Sequence, residues 1–208
     1  MMIDKEAIQE QVQRKLLEII VNDPEMILAV KQVYLTEDLW KVAIENEPKL
    51  FKKVKHPSVS LCYYAVAIDG SNLKHVVKKV RYVKITPKLA VLAINSCPKA
   101  LFDIPKEVID DGLKELAFDK DEKLLAEYTG SVRPEYVQKK VHENPSIIQW
   151  IKNPSEEMLI EALNADPCSI VYIKEPSQKI IELMKTKYPQ YWDMVSDSIM
   201  NKLEEKRM

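Results

Sequence analysis

The stretch NPSEEMLIEALNADPCSIVYIKEPSQ, from Asn153 to Gln178, decides the fold because it contains nearly the same wording twice. It opens on NPSE and closes on EPSQ, with a third proline, Pro167, between the two. Proline is tolerated at the first position of a helix, since the backbone N–H there has no intrahelical partner. The stretch therefore predicts a helix capped by Asn153, with Glu156 completing a capping box, and a second, shorter helix that begins at Pro167.

The apolar residues of this stretch support the same two helices. The longer helix has one apolar face, formed by Met158, Leu159, Ala162 and Leu163. Their spacing follows the helical period. Ile170 and Ile173 form the predicted inner stripe of the shorter helix. The pattern indicates a helix–turn–short-helix unit that proline punctuates at both ends.

The unit recurs along the chain, and we call the residue that opens its second helix the joint. Successive joints lie 22 to 27 residues apart, at Pro24, Pro48, Ser71, Pro98, Glu122, Pro145, Pro167 and Pro189. Ser71 and Glu122 mark two copies without proline, and we attribute the longest interval to an insertion near residues 79–84. A fixed short period predicts stacked units: an all-α fold, an α-solenoid of about eight helix-turn-helix repeats of roughly 22–24 residues. The alternative is a non-repetitive helical bundle with proline at its helix starts.

Composition supports one globular domain. Hydrophobic residues make up 46% and charged residues 30% of the 208 residues, so we expect residues 1–208 to form a single helical repeat domain, with a C-terminal helix over 190–206 as its cap. With only 3 glycines, the chain is a poor candidate for a β-rich fold or phosphate-binding loops. We expect no signal peptide, because the start MMIDKEAIQE turns polar at once, and no apolar run reaches the length of a membrane span. Three widely spaced cysteines, Cys62, Cys97 and Cys168, fit a reduced compartment, so we expect a cytoplasmic protein.

The wording NPSEE…A…DP…IxYIKxPS resembles short helical repeats of unknown function in bacteriophages, bacteria and large viruses. The resemblance is strongest from Asn144 to Gln178 and covers 39–105 less closely. It implies a helical repeat fold and a phage or mobile-element origin, which would place the protein in the cytoplasm of a bacterial host. It implies no catalytic residues.

The histidines and acidic residues of the sequence do not have the spacing that catalytic sites or metal sites require. His56, His75 and His142 have no neighbouring ligand at metal-binding spacing. The acidic clusters at 110–111 and 119–122 lack the glycine turn of a calcium loop, so we interpret them as solvated. The three tryptophans, Trp40, Trp150 and Trp192, fall at apolar repeat positions and predict packing. We expect a protein without enzymatic activity, cofactor or metal.

Charge is strongly segregated although the chain as a whole has a net charge of −1. Residues 49–88 contain ten basic residues and one acidic residue, whereas 1–48 and 89–208 each carry a net charge of −5. Lysines three or four apart without interleaved glutamates repel one another, so helix stability does not favour the arrangement. Because equivalent helices of a stack lie side by side, the lysines after Pro48 and after Ser71 are expected to merge into one surface.

This surface predicts a binding function. The expected binding residues are Lys49, Lys52, Lys53, Lys74, Lys78, Lys79, Arg81 and Lys84. We expect a non-enzymatic protein-binding repeat protein whose partner is a host protein with an acidic surface, bound to modulate or block it in host takeover or anti-defence. The alternative is a nucleic-acid-binding protein that uses the basic segment Lys49–Lys88. The pI of about 6.4 and the single arginine in that segment count against the alternative. A third reading, a solvated lysine face without a partner, stays open.

Overall fold

A computed structural model of the chain describes residues 5–80, 83–193 and 196, and all regular structure within them is helical. The prediction of an all-α fold is confirmed. The α-helices are α1 (Lys5–Asn22), α2 (Glu37–Asn46), α3 (Val59–Ile68), α4 (Leu73–Lys79), α5 (Pro87–Ser96), α6 (Asp111–Lys120), α7 (Leu124–Glu127), α8 (Pro134–Glu143), α9 (Glu156–Ala165) and α10 (Gln178–Lys187). Short 3₁₀ helices span Pro24–Ala29, Gln32–Tyr34, Pro48–Lys53, Gly70–Asn72, Pro98–Asp103, Pro145–Trp150 and Pro167–Tyr172.

The predicted proline joints are the starts of 3₁₀ helices. Pro48, Pro98, Pro145 and Pro167 each occupy the first position of such a helix, and a single residue separates each of them from the preceding ten-residue α-helix. The residue before the joint connects the two helices through its backbone. Asp166, for example, donates its N–H to the Ala162 carbonyl at 2.8 Å and accepts the Ser169 N–H at 3.0 Å. We call each short helix that begins at a joint a joint helix.

Burial follows the same register in successive copies. The second and third residues after the joint are buried in most copies: Leu50 and Phe51, Asn72 and Leu73, Ala100 and Leu101, Leu124 and Leu125, Ile147 and Ile148, Ser169 and Ile170. The sixth residue after the joint is buried in several copies, as at Val54, Ile104 and Ile173. The first residue after the joint is exposed at Lys49, Lys99 and Cys168. The joint helix therefore has a constant inner face, and its outer face is free to vary.

One joint is misplaced by one residue in the sequence prediction: Gly70, not Ser71, opens the third joint helix, and Asp69 caps it. Gly70 is buried so close to the next copy that a Cβ atom there would overlap the Ala93 carbonyl oxygen. Its N–H also donates to the Ser96 hydroxyl at 3.1 Å. Proline lacks that donor and is too large for the space, which explains why this copy has glycine at its joint.

The predicted cap of α9 is also wrong. Ser155, not Asn153, caps α9, because its hydroxyl accepts the Met158 N–H at 3.2 Å. Asn153 adopts a left-handed conformation with φ of 51°, which asparagine tolerates better than most residues. Pro154 lies in the connection before the cap and not inside the helix. Both asparagine and serine are good caps, so composition alone did not decide between them.

Glu156 links two copies instead of forming a capping box. As the first residue of α9, it accepts a 2.6 Å hydrogen bond from Ser177, the cap of α10. Glu37, the first residue of α2, accepts an equal bond from Ser58, the cap of α3. Each cap hydroxyl therefore satisfies its own helix and ties that helix to the preceding copy.

The chain divides into two compact units, Met1–Asp121 and Glu122–Met208. In the first unit, α2, α3, α5 and α6 contact one another in sequence order, and so do the joint helices that begin at Pro48, Gly70 and Pro98. In the second unit, α8 contacts α9, and the Pro145 joint helix contacts the Pro167 joint helix. Stacking of consecutive copies is thus observed within each unit. A single domain over 1–208 and one solenoid of about eight repeats stay predictions.

The N-terminal end of the first unit has its own core. Ile20 of α1, Ile27, and Leu39 and Ala43 of α2 form a buried cluster with Leu50. Of the helices within the described residues, none is long and apolar enough to cross a membrane. The predicted C-terminal cap helix over 190–206 lies mostly outside the described residues.

Candidate partner-binding surface

The first group of candidate lysines lies on the outer face of the Pro48–Lys53 joint helix. Leu50 and Phe51 are buried, and Val54 at the end of the helix is buried with them. The remaining positions, Lys49, Lys52 and Lys53, are exposed. Lys55 lies in the connection after this helix, because the helix ends at Lys53.

The second group follows Gly70. The Gly70–Asn72 joint helix runs directly into α4, so this copy has a longer helical segment than its neighbours. Leu73 and Val76 are buried, whereas Lys74 and Lys78 are exposed. Lys74 is the fourth residue after its joint, as Lys52 is in the preceding copy.

The remaining candidate residues lie at the end of α4 or after it. Lys79 is the last residue of α4, and Lys84 is exposed in the connection before α5. Arg81 lies outside the described residues. The candidates that the structure describes therefore belong to the joint helix after Pro48, to α4 and to the connection that follows α4.

Asn72 brings the two lysine-bearing segments together. Its buried side-chain amide donates to the Pro48 carbonyl at 3.2 Å and to the Ala65 carbonyl at 3.1 Å. The first bond joins the start of one joint helix to the next joint helix, and these two helices are in contact. The expected adjacency of equivalent segments is thus observed here. That their lysines form a binding surface stays a prediction.

Several lysines outside residues 49–88 are ion-paired. Lys41 lies 3.3 Å from the Glu37 carboxylate, Lys114 lies 2.7 Å from Asp111, and Lys179 lies 3.1 Å from Glu156. Within the part of the chain that the structure describes, no such pair involves Lys49, Lys53, Lys55, Lys74, Lys78, Lys84 or Lys88, and all seven are exposed. A concentration of unpaired positive charge creates a field that attracts an anionic partner.

Sequence reasoning missed Lys99. It is exposed and is the first residue after the Pro98 joint, the position that Lys49 occupies after Pro48. The Pro98–Asp103 joint helix contacts the Gly70–Asn72 joint helix and α4, so it continues the same row of outer faces. Alignment of the copies at their joints would have found Lys99, whereas the charge count was confined to residues 49–88.

The acidic clusters have structural roles. Asp110 caps α6 by accepting the Leu113 N–H at 2.8 Å, and Asp111 pairs with Lys114. Glu122 accepts hydrogen bonds from the Asn144 side chain at 3.1 and 3.2 Å. Across residues 5–80 and 83–193, no group of three His, Cys, Asp or Glu side chains is arranged to hold a metal ion.

The cysteines differ from one another in burial. Cys62 lies fully inside the first unit, and burial, with a smaller contribution from Glu37, raises the pKa of its thiol to about 11. That thiol stays protonated near neutral pH, so it is a poor nucleophile. Cys97 is half-buried and Cys168 is exposed, so of the three cysteines Cys62 alone is a core residue.

Two of the three tryptophans pack against other side chains in the interior. Trp192 is buried, and Trp40 packs on the N-terminal core cluster while remaining partly accessible. Trp150 is half-buried, with the Lys123 ammonium 5.8 Å from its ring centre. The positions of Trp40 and Trp192 agree with the predicted packing.

Comparison with known proteins gives no relative. No protein-family model matches the chain, and no curated protein or solved structure matches it significantly. The resemblance to phage and bacterial helical repeats therefore stays an expectation. The inference of a binding surface depends on its geometry and its charge.

Proposed function

We propose that the chain is a non-enzymatic repeat protein that binds a partner protein through the exposed lysines of residues 49–88. The observation that supports this most directly is the set of exposed lysines without carboxylate partners on two contacting joint segments. We further propose that the copies of both units belong to one solenoid of about eight repeats, since solenoids offer extended surfaces for such partners.

The partner that fits this surface is a protein with an acidic face. Charge complementarity across an interface speeds association and disfavours wrong partners. At physiological salt, charges are screened beyond about 8 Å, so the partner's carboxylates would have to approach the lysines closely. The resemblance of the repeat wording to phage and bacterial repeats makes a host protein, modulated or blocked in host takeover or anti-defence, the natural target of such binding.

A binding experiment has to distinguish an acidic protein partner from a nucleic acid. The distinguishing observable is the relative affinity for the acidic polypeptide and for nucleic acid, followed across salt concentrations because binding to phosphates releases condensed counterions. Fluorescent poly-glutamate, a random DNA duplex and a single-stranded RNA can be titrated with the protein at several salt concentrations. We expect measurable binding to poly-glutamate and weaker binding to both nucleic acids. Tighter binding to duplex or single strand, with a steep salt slope, would contradict the proposal.

The matched control uses a variant with the same change in charge. Lys49→Glu/Lys53→Glu/Lys74→Glu/Lys78→Glu should abolish poly-glutamate binding. Reversal of four exposed lysines outside the segment, Lys15, Lys106, Lys120 and Lys174, should leave most of it intact. Equal losses in the two variants would indicate a response to net charge and not to a site.

A further inference from the structure

A groove recurs between consecutive copies. In the first unit it lies between the connection after the Pro24 joint helix, the start of α2 and the connection after the Pro48 joint helix, with a volume of about 530 Å³. In the second unit, equivalent grooves of about 610 and 700 Å³ lie beside the connections after Glu127 and Trp150. We call the groove of the first unit the N-terminal groove.

The N-terminal groove has an apolar floor. Ile27, Val54 and Leu61 are buried beneath it, and Trp40 is partly buried at its side. Leu28 lines the groove and is 51% exposed. A concave site with a buried apolar floor and an accessible apolar side chain is typical of binding sites.

One wall of the groove is basic. Lys53, Lys55 and His56 line it, and both lysines are exposed and without a carboxylate partner among the described residues. Glu37 also lines the groove, but it already accepts the Ser58 hydroxyl at 2.6 Å and lies 3.3 Å from Lys41. The accessible charge at the rim is therefore positive.

The groove of about 700 Å³ in the second unit has a different wall. There, the positions of Lys53, Lys55 and His56 are occupied by Tyr172, Lys174 and Glu175. Lys152 also lines that groove, so both linings contain two lysines and one glutamate, and the grooves differ in where those charges lie. In the N-terminal groove both lysines lie on one wall, and substitutions at the equivalent positions of the second groove provide a control for that wall.

We infer that the N-terminal groove binds an extended acidic segment of the partner protein, with a large apolar side chain on the groove floor and flanking carboxylates on Lys53 and Lys55. This inference rests on the proposed function, because Lys53 belongs to both surfaces, and it adds an apolar anchor to a surface otherwise defined by charge. A buried apolar anchor carries most of the energy in many interfaces, and rim charges contribute orientation and rate.

The test uses a defined probe, a fluorescent octapeptide with leucine and phenylalanine between two runs of three glutamates. Fluorescence anisotropy should show binding to the parent protein. Replacement of leucine and phenylalanine by two alanines should weaken binding about tenfold or more, because the apolar contact is lost. Replacement of the six glutamates by lysines should abolish it.

Variants locate the site. Lys53→Glu/Lys55→Glu and, separately, Leu28→Glu should each weaken binding of the apolar acidic peptide about tenfold or more. Tyr172→Glu/Lys174→Glu, the change at the equivalent positions of the second unit, should leave the affinity unchanged. Circular dichroism of each variant checks that the fold persists, as expected for exposed side chains.

Trp40 provides a direct readout of position. In the Trp150→Phe/Trp192→Phe protein, Trp40 is the sole tryptophan, and peptide binding should shift its emission. If the peptide binds with no change in Trp40 emission and no loss on alanine replacement, the groove inference is wrong while acidic binding to the lysines stands. If the four-lysine variant Lys49→Glu/Lys53→Glu/Lys74→Glu/Lys78→Glu also binds as the parent does, the proposed function fails with it.

Discussion

The joint helices that begin at Pro48 and Pro167 bury equivalent positions but expose residues of different chemical type. Both are six residues long, follow a ten-residue α-helix and bury their third and fourth residues. The exposed positions differ: Lys49, Lys52 and Lys53 in the first, and Cys168, Val171 and Tyr172 in the second. The repeat therefore fixes which positions are buried and leaves the outer positions free to carry function.

The largest effects on stability should come from equivalent buried positions in both regions. Leu163 and Ile44 are each the eighth residue of a ten-residue α-helix and are fully buried. Leu163→Ala and Ile44→Ala should each lower the free energy of unfolding by about 2–5 kcal/mol, because each leaves a cavity. Denaturant titration of the two variants measures this. A negligible loss of unfolding free energy at either position would show that the two copies are not equivalent.

A smaller effect should separate two polar residues at the same buried position. Asn72 and Ser169 are both the second residue after their joints. The Asn72 side chain has hydrogen-bond partners, whereas the Ser169 hydroxyl has none within the described residues. Asn72→Ala should cost about 1–3 kcal/mol because it leaves buried groups unpaired. Ser169→Ala should be neutral or stabilising by up to about 1 kcal/mol, since burial of an unpaired hydroxyl is unfavourable. Thermal melting of both variants tests the contrast, and equal destabilisation would contradict it.

The cap hydroxyls that link copies should contribute less again. Ser58→Ala and Ser177→Ala should each cost about 1 kcal/mol through loss of the cap. These hydroxyls are also the main reason that the pKa values of Glu37 and Glu156 lie below the ordinary 4.5. A lowered carboxyl pKa stabilises the fold above about pH 4.5, and that contribution disappears as pH falls through the folded-state value. The difference between each variant and the parent should therefore narrow below pH 4.5 in melts across a pH series. A constant difference would exclude the carboxylates from the effect.

The sequence predicted the helical class and the proline joints because proline at a helix start has a specific backbone cause. It failed at Gly70, where the constraint is the approach of Ala93 from the next copy, and at Ser155, where two good caps flank one proline. Both errors concern contacts or backbone geometry that no local pattern encodes.

The lysines of the candidate surface could be predicted from the sequence, but the groove beside them could not. Charge counting identified the lysines of residues 49–88, and burial of Leu50, Phe51 and Leu73 explains why those lysines face outward. The groove beside Trp40 was not predicted, because it is formed by connections from copies more than twenty residues apart. Such a site depends on how neighbouring copies stack.

The most direct test of the central claim combines binding with stability in one variant. Lys49→Glu/Lys53→Glu/Lys74→Glu/Lys78→Glu changes only exposed positions, so its helical content should be unchanged and its free energy of unfolding should change by less than about 0.5 kcal/mol per site. Immobilised parent, this variant and the matched variant with reversals at Lys15, Lys106, Lys120 and Lys174 can each be incubated with a bacterial lysate. The account predicts an acidic protein retained by the parent and by the matched variant and lost from the four-lysine variant. Retention of that protein by all three, with folding intact, would contradict it.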